Sequence, residues 1–182
     1  MQGTDLNYAQ QVFNRGGIIA YPTEAVWGLG CDPFNRQAVT KLLALKNRDI
    51  SKGLILIAAT IEQFSDQLTN LSSQQYATLA DSWPSHNTWL VPNNGTIPSW
   101  IIGNHSSVAL RVSANSSAQT LCNKLGILVS TSANLAGRPA ATSVDALLDY
   151  FSTDLDYIYL GQTSGAVSTS SITDLTTGNQ IR

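Results

Sequence analysis

The chain is poor in the residues that most often announce chemistry or location. Only two cysteines, Cys31 and Cys122, occur among its 182 residues. That is too few for a disulfide framework or a four-thiolate metal site and leads us to expect a reduced, cytoplasmic protein. Its two histidines, His86 and His105, stand far apart and outside any metal-ligand spacing, so no metal ligands are assigned and both are read as structural or solvent-facing. Charge is scarce too, at 12% of residues against about 25% in a typical soluble domain. Ten Lys and Arg against twelve Asp and Glu give a formal net charge of −2, which argues against an extended nucleic-acid coat, because duplex binders carry a basic excess. The longest apolar stretch, Leu54 to Ala59, falls far short of the ~20 residues that cross a bilayer, and no secretory leader pattern is present. No membrane association is expected.

The familiar catalytic signatures are missing as well. Gly28 and Gly30 do not extend to GxGxxG because residue 33 is Pro33, and there is no GxxxxGK[ST] phosphate loop, no GxSxG elbow and no close Cys–His pair. Glu24 and Asp32 are the nearest to general-base candidates, and nothing in their surroundings requires that role. The reaction that fits such a set is one whose nucleophile is already anionic, which needs cations and hydroxyls more than a base.

What is present is an alternation of helical and strand patterns over a length that suits one domain, 1–182. Thr4 is expected to cap a helix through Phe13 that stops at Gly16-Gly17, followed by a strand, Ile18 to Tyr21, that enters a loop at Pro22. Asn35 opens a helix with Ala38, Val39, Leu42 and Leu45 on one face. The unbroken apolar run Gly53 to Ala59 predicts a strand buried on both faces. Thr60 with Gln63, and Ser72 with Gln75, read as capping boxes of two further helices. Strands are expected at 88–91, 108–112, 127–130, 157–160 and 172–175, and helices at 117–125 and 144–151. The Ser- and Thr-rich stretch 163–177 reads as a loop, with closure over a site as the sharper alternative.

Three constellations carry chemistry. Arg36, Lys41, Lys46, Arg48 and Lys52 place half of the cations within seventeen residues, opposed there only by Asp49. If Lys46, Arg48 and Lys52 converge at one sheet edge they form a polyanion site, for a nucleotide phosphate or for an RNA backbone. Ser130-Thr131-Ser132-Ala133-Asn134 follows a predicted strand with small hydroxyls suited to a phosphate or carboxylate. Tyr21-Pro22-Thr23-Glu24, then Gly28-Leu29-Gly30, permits close backbone approach.

Together with Ala20 to Asp32, Lys46-Asn47-Arg48, Lys52 to Ala58, Ala109-Leu110-Arg111-Val112 and Ser130 to Asn134, these runs resemble the bacterial threonylcarbamoyl-AMP synthase family, the YrdC-like domain, in its short single-domain form. The resemblance implies an α/β fold, a twisted open mixed sheet with helices around a concave basic cavity. It also implies a nucleotidyltransferase reaction in the cytoplasm. L-Threonine, bicarbonate or carbon dioxide, and ATP would give threonylcarbamoyl-AMP and pyrophosphate, with magnesium accompanying ATP. The product would pass to proteins that modify adenosine 37 of tRNA. Carried over motif by motif, Lys46 and Arg48 are the catalytic cations, and they bind ATP with Lys52, Thr88, Ser132, Asn134 and Arg182. Thr23, Arg111, Ser130 and Ser170 bind threonine. Ser85-His86-Asn87 stands where many relatives have Gly-Pro before the threonine. The rival reading is a noncatalytic protein that binds tRNA or double-stranded RNA in RNA or ribosome maturation.

Overall fold

The computed structural model describes residues 1–152 and 154–182. Nine strands form one mixed sheet: β1 Gln2–Gly3, β2 Ile19–Pro22, β3 Trp27–Gly30, β4 Ile55–Ala58, β5 Asn87–Pro92, β6 Ser107–Val112, β7 Leu128–Ser132, β8 Tyr157–Tyr159 and β9 Ser171–Asp174. Their order is β1-β8-β2-β3-β7-β4-β6-β5-β9. β1, β2, β4 and β9 pair in parallel with β8, β8, β6 and β5, and the remaining pairs are antiparallel. The helices are α1 Leu6–Asn14, α2 Arg36–Leu45, α3 Ser65–Leu68, α4 Ser73–Ser82, α5 Ser99–Ile102, α6 Ser116–Leu125 and α7 Val144–Phe151.

Strand side chains alternate between faces, and the register sorts them. Ala20, Leu29, Leu56, Leu110 and Val129 face one side, where α2, α4, α5 and α7 cover them in the larger core. Ile19, Tyr21, Ile57 and Leu128 face the other, under α1 and α6. Leu56, Ile57 and Ala58 of the apolar run are therefore buried on both sides, as its lack of polar alternation predicts, whereas Ile55 is only half-buried. α1 and α6 cover only part of their face. Gly28, Ile55, Arg111, Ser130 and Ser132 lie on the same side by register and are left bare of helix.

Two local expectations are corrected. Asp5, not Thr4, caps α1, its carboxylate accepting from Asn7 N and Tyr8 N. Thr60 makes no cap. Gln63 instead accepts from Ala59 N at 2.7 Å and donates to Cys122 O at 2.8 Å, leaving a single tight turn over Ile61–Phe64. The loop after Pro22 lasts four residues before the chain returns as β3, pairing Tyr21 with Gly28. The strand expected at 172–175 forms as edge strand β9 within the Ser- and Thr-rich stretch. By contrast, the Ser72–Gln75 capping box forms in full.

Candidate functional site

The bare face opens into a cavity of about 650 Å³. Each wall comes from a different part of the fold. β7 supplies Ser130 and Ser132, β6 supplies Arg111, and the β2–β3 turn supplies Thr23. Arg48 enters from the end of α2, while Thr169, Ser170 and Arg182 close the opposite side. Gly28 and Gly30 keep the floor low. A Cβ on Gly30 would collide with the Val129 carbonyl and sit 2.9 Å from the Tyr21 ring.

The end of α2 separates its two cations. Lys46 is the C-cap, Asn47 adopts φ 49, a left-handed conformation that Asn tolerates, and Arg48 N returns to Leu43 O at 3.0 Å. The chain thus reverses between them. Lys46 turns inward, 4% exposed, and donates to the Ser132 carbonyl, to Asn134 O at 2.8 Å and to Asn134 Oδ1 at 3.2 Å. An ammonium has three hydrogens, so all are engaged by the turn after β7. Burial, reinforced by Arg48, pulls its pKa down to about 8.

Arg48 turns the other way, donating from Nη2 to Gly53 O at 2.9 Å. Across from it, Arg182 donates through Nε and Nη2 to the Ser170 carbonyl at 3.1 and 2.9 Å. Burial and then the neighbouring guanidinium lower both pKa values, Arg182 acting on Arg48 and Arg111 on Arg182. Three guanidiniums therefore share one space.

A buried carboxylate answers Arg111. Glu24, 3% exposed, accepts through Oε1 from Ser113 Oγ at 2.7 Å and Ala114 N at 2.9 Å, and its Oε2 lies 3.4 Å from Arg111 Nη2. Burial raises its pKa, but the Arg111 charge and the hydrogen bonds outweigh this and hold it below the ordinary value. Glu24 is an ionised partner of Arg111, and its lowered pKa makes it a weak proton acceptor.

A second, outer cavity of about 1240 Å³ shares Arg48, Leu54, Ile55 and Arg182 with the first. It adds Lys52 and an apolar wall that includes Leu90, Ile101, Ile172 and Ile181. Of the residues expected at the site, Thr23, Arg48, Arg111, Ser130, Ser132, Ser170 and Arg182 line the inner cavity, and Lys52 lines the outer one. Lys46, Thr88 and Asn134 line neither. Thr88 is fully buried and shares a hydrogen bond with Ser170 Oγ at 2.9 Å. Asn134 Oδ1 accepts from Lys46 and from Ser132 Oγ. These three stand one layer behind the cavity wall.

Two residues were not expected here. His86 lines the inner cavity, against its reading as structural or solvent-facing. Asn115, 1% exposed, caps α6 and donates through Nδ2 to Thr23 O, Gln162 O and Ser164 Oγ, tying the Thr23 turn to the segment before β9. An Asn immediately before the 117–125 helical pattern was the available signal for the cap, whereas the contacts are long-range and leave none.

Comparison with known proteins places this geometry. The chain is 52% identical over 172 residues to a threonylcarbamoyl-AMP synthase of Stutzerimonas stutzeri (strain A1501), covering 94% of this chain and 93% of that one. It is 51% identical over 174 residues to the protein of the same name from Pseudomonas aeruginosa (strain UCBPP-PA14), covering 96% and 94%. The fold matches the crystal structure of P. abyssi Sua5 complexed with L-threonine, with a TM-score of 0.89 at 24% identity. That match covers 99% of this chain, which spans about half, 55%, of the Sua5 chain. The family model of the Sua5, YciO and YrdC proteins, described as telomere recombination, matches residues 11–182, and with relatives at this identity over nearly its whole length the chain belongs to that family.

Proposed function

We propose that the chain is a threonylcarbamoyl-AMP synthase, acting as one domain over residues 1–182 in the cytoplasm. The observation that carries this reading is the pair of joined cavities, where three arginines meet, with Glu24 paired to Arg111 and Asp174 in the outer wall. The inner cavity is small and polar and suits an amino acid, with Arg111 for its carboxylate and Thr23, Ser130 and Ser170 for its remaining polar groups. The outer cavity, apolar with Lys52 at its edge, suits the nucleoside and distal phosphates. Arg48 and Arg182 are common to both, which puts them where the two substrates meet.

The chemistry needs no protein base. The threonine amine and bicarbonate give a carbamate and water, and the carbamate is already an anion at neutral pH. One of its oxygens attacks the α-phosphorus, the bond from that phosphorus to the bridging oxygen breaks, and pyrophosphate leaves with the electron pair. Arg48 and Arg182 stabilise the charge that gathers on the phosphoryl oxygens. Lys46 acts one layer back by holding the turn that carries Ser132 and Asn134. Magnesium would accompany ATP and neutralise phosphate charge; Ser132 Oγ, which donates to Asn134 Oδ1 and keeps its lone pairs, and Asn134 Oδ1 are the groups that would hold it. The clustered cations sit inside a cavity on a chain of net charge −2, which favours a small phosphate ligand over an RNA duplex. Transfer to tRNA is left to separate proteins that consume the adenylate.

The test is incubation with labelled bicarbonate and ATP, with and without threonine, followed by chromatography. A labelled adenylate and pyrophosphate that appear only with threonine are expected. Turnover independent of threonine, or none from the folded chain, would overturn the proposal.

A further inference from the structure

His86 lines the inner cavity, and the reaction does not use its contacts. It lies just before β5 and meets two other parts of the chain. Its Nε2 is 2.6 Å from the Ser168 carbonyl, and its Nδ1 is 3.7 Å from Glu24 Oε2. A carbonyl oxygen only accepts, so Nε2 carries the hydrogen of this contact. Nδ1 and Glu24 Oε2 are both buried without a hydrogen-bond partner, so the ring and the carboxylate face each other across a short unfilled gap.

Each contact leads to a residue assigned to the amino acid. Ser168 begins the short run that brings Thr169 and Ser170 to the cavity. Upstream, that segment is attached through Ser164 N to Thr23 O and Ala166 N to Glu24 O, both on the same turn, and through Asn115 Nδ2 to Gln162 O and Ser164 Oγ. Glu24 in turn is the carboxylate beside Arg111. His86 thus joins residues 168–170 to the Glu24 turn at the inner cavity and away from the outer one, where Asn115 holds the segment further upstream and Thr88 holds Ser170 from behind.

We infer that His86 is a positioning residue for the amino-acid substrate, holding the Ser168–Ser170 segment by its Nε2 hydrogen bond while its ring packs against the Glu24 that orients Arg111. The inference rests on the proposed function. It predicts an effect on threonine and not on the nucleotide, and it assigns the larger part to the Ser168 contact, the one at full hydrogen-bond distance.

Three variants test it: His86→Ala, His86→Gln, whose amide reaches as far as Nε2, and His86→Asn, which is too short to reach Ser168. His86→Ala is expected to raise the threonine KM about tenfold, more than it lowers kcat, with the ATP KM changed less than about threefold. His86→Gln should recover most of that loss and His86→Asn should not, and matched thermal unfolding curves separate the effect from general loosening. An unchanged threonine KM in His86→Ala, a parallel rise in both KM values, or equal recovery by Asn and Gln would overturn the inference. If His86→Ala does not fold, the Gln and Asn variants decide between the same outcomes. Absence of threonine-dependent product in the unaltered chain would overturn the functional reading as well, whereas product made equally well by all three variants would overturn this inference alone.

Discussion

Glu24 and Arg111 face each other inside the molecule, Oε2 to Nη2 at 3.4 Å, with 3% and 5% of their surfaces exposed. Neither charge is left alone: Ser113 and Ala114 hold the other carboxylate oxygen. The pair lets a guanidinium stand in a cavity wall at a fixed angle.

Breaking the pair on one side leaves the other charge buried. Glu24→Ala should therefore cost about 3–5 kcal/mol in urea unfolding, and Arg111→Lys, which keeps charge but loses the planar fork, should raise the threonine KM more than the ATP KM.

The same carboxylate gives an acid limb to stability. Its folded pKa lies below the ordinary value of 4.5, so the unfolded chain binds the proton more readily. This stabilisation is present above pH 4.5 and is lost as pH falls through the lower folded value. Glu24→Gln should flatten that part of a plot of urea midpoint against pH.

Arg48 stands where the two cavities join. Arg48→Ala should lower kcat/KM by about a hundredfold or more, the loss expected for one charge-stabilising donor, while Lys52→Ala, exposed and confined to the outer cavity, should act mainly on the ATP KM. Pyrophosphate release assays at varied ATP would show both.

Lys46 introduces an alkaline limb. Its folded pKa of about 8 lies below the unfolded 10.5, so above pH 8 the folded chain gives up this proton first, and the contribution of this group to stability rises with pH up to about 10.5. Phosphate binding runs the other way, because the positive charge behind Ser132 is lost. The ATP KM should increase between pH 7 and 9.

Two capping serine and threonine positions should differ sharply. Ser72→Ala removes a complete capping box and should cost about 1 kcal/mol, whereas Thr60→Ala, where no cap bond exists, should fall within roughly 0.5 kcal/mol. Gly30→Ala, with Val129 O and the Tyr21 ring in the way, should cost about 1–3 kcal/mol. Urea midpoints measure all three.

Sequence alone determined what depends on neighbours along the chain. The apolar run 53–59 read as a buried strand and forms one over Ile55–Ala58, and Asn35 and Ser72 each precede a helical pattern with the hydrogen-bonding oxygen in reach. The motifs around Thr23, Lys46-Asn47-Arg48, Arg111 and Ser130 likewise stood out as short local patterns. Thr60 misled because the Gln63 side-chain oxygen accepts from Ala59 N while its amide nitrogen donates to Cys122 O, far along the chain. Tertiary structure alone decided the rest. β-sheet register put Gly28, Arg111, Ser130 and Ser132 on one face and left it bare, and one left-handed residue, Asn47, sent Lys46 behind the wall and Arg48 through it. The pairing of Glu24 with Arg111, and the arrival of His86 beside both, arise from strands that are neighbours in space and distant in sequence, so no local pattern could announce them.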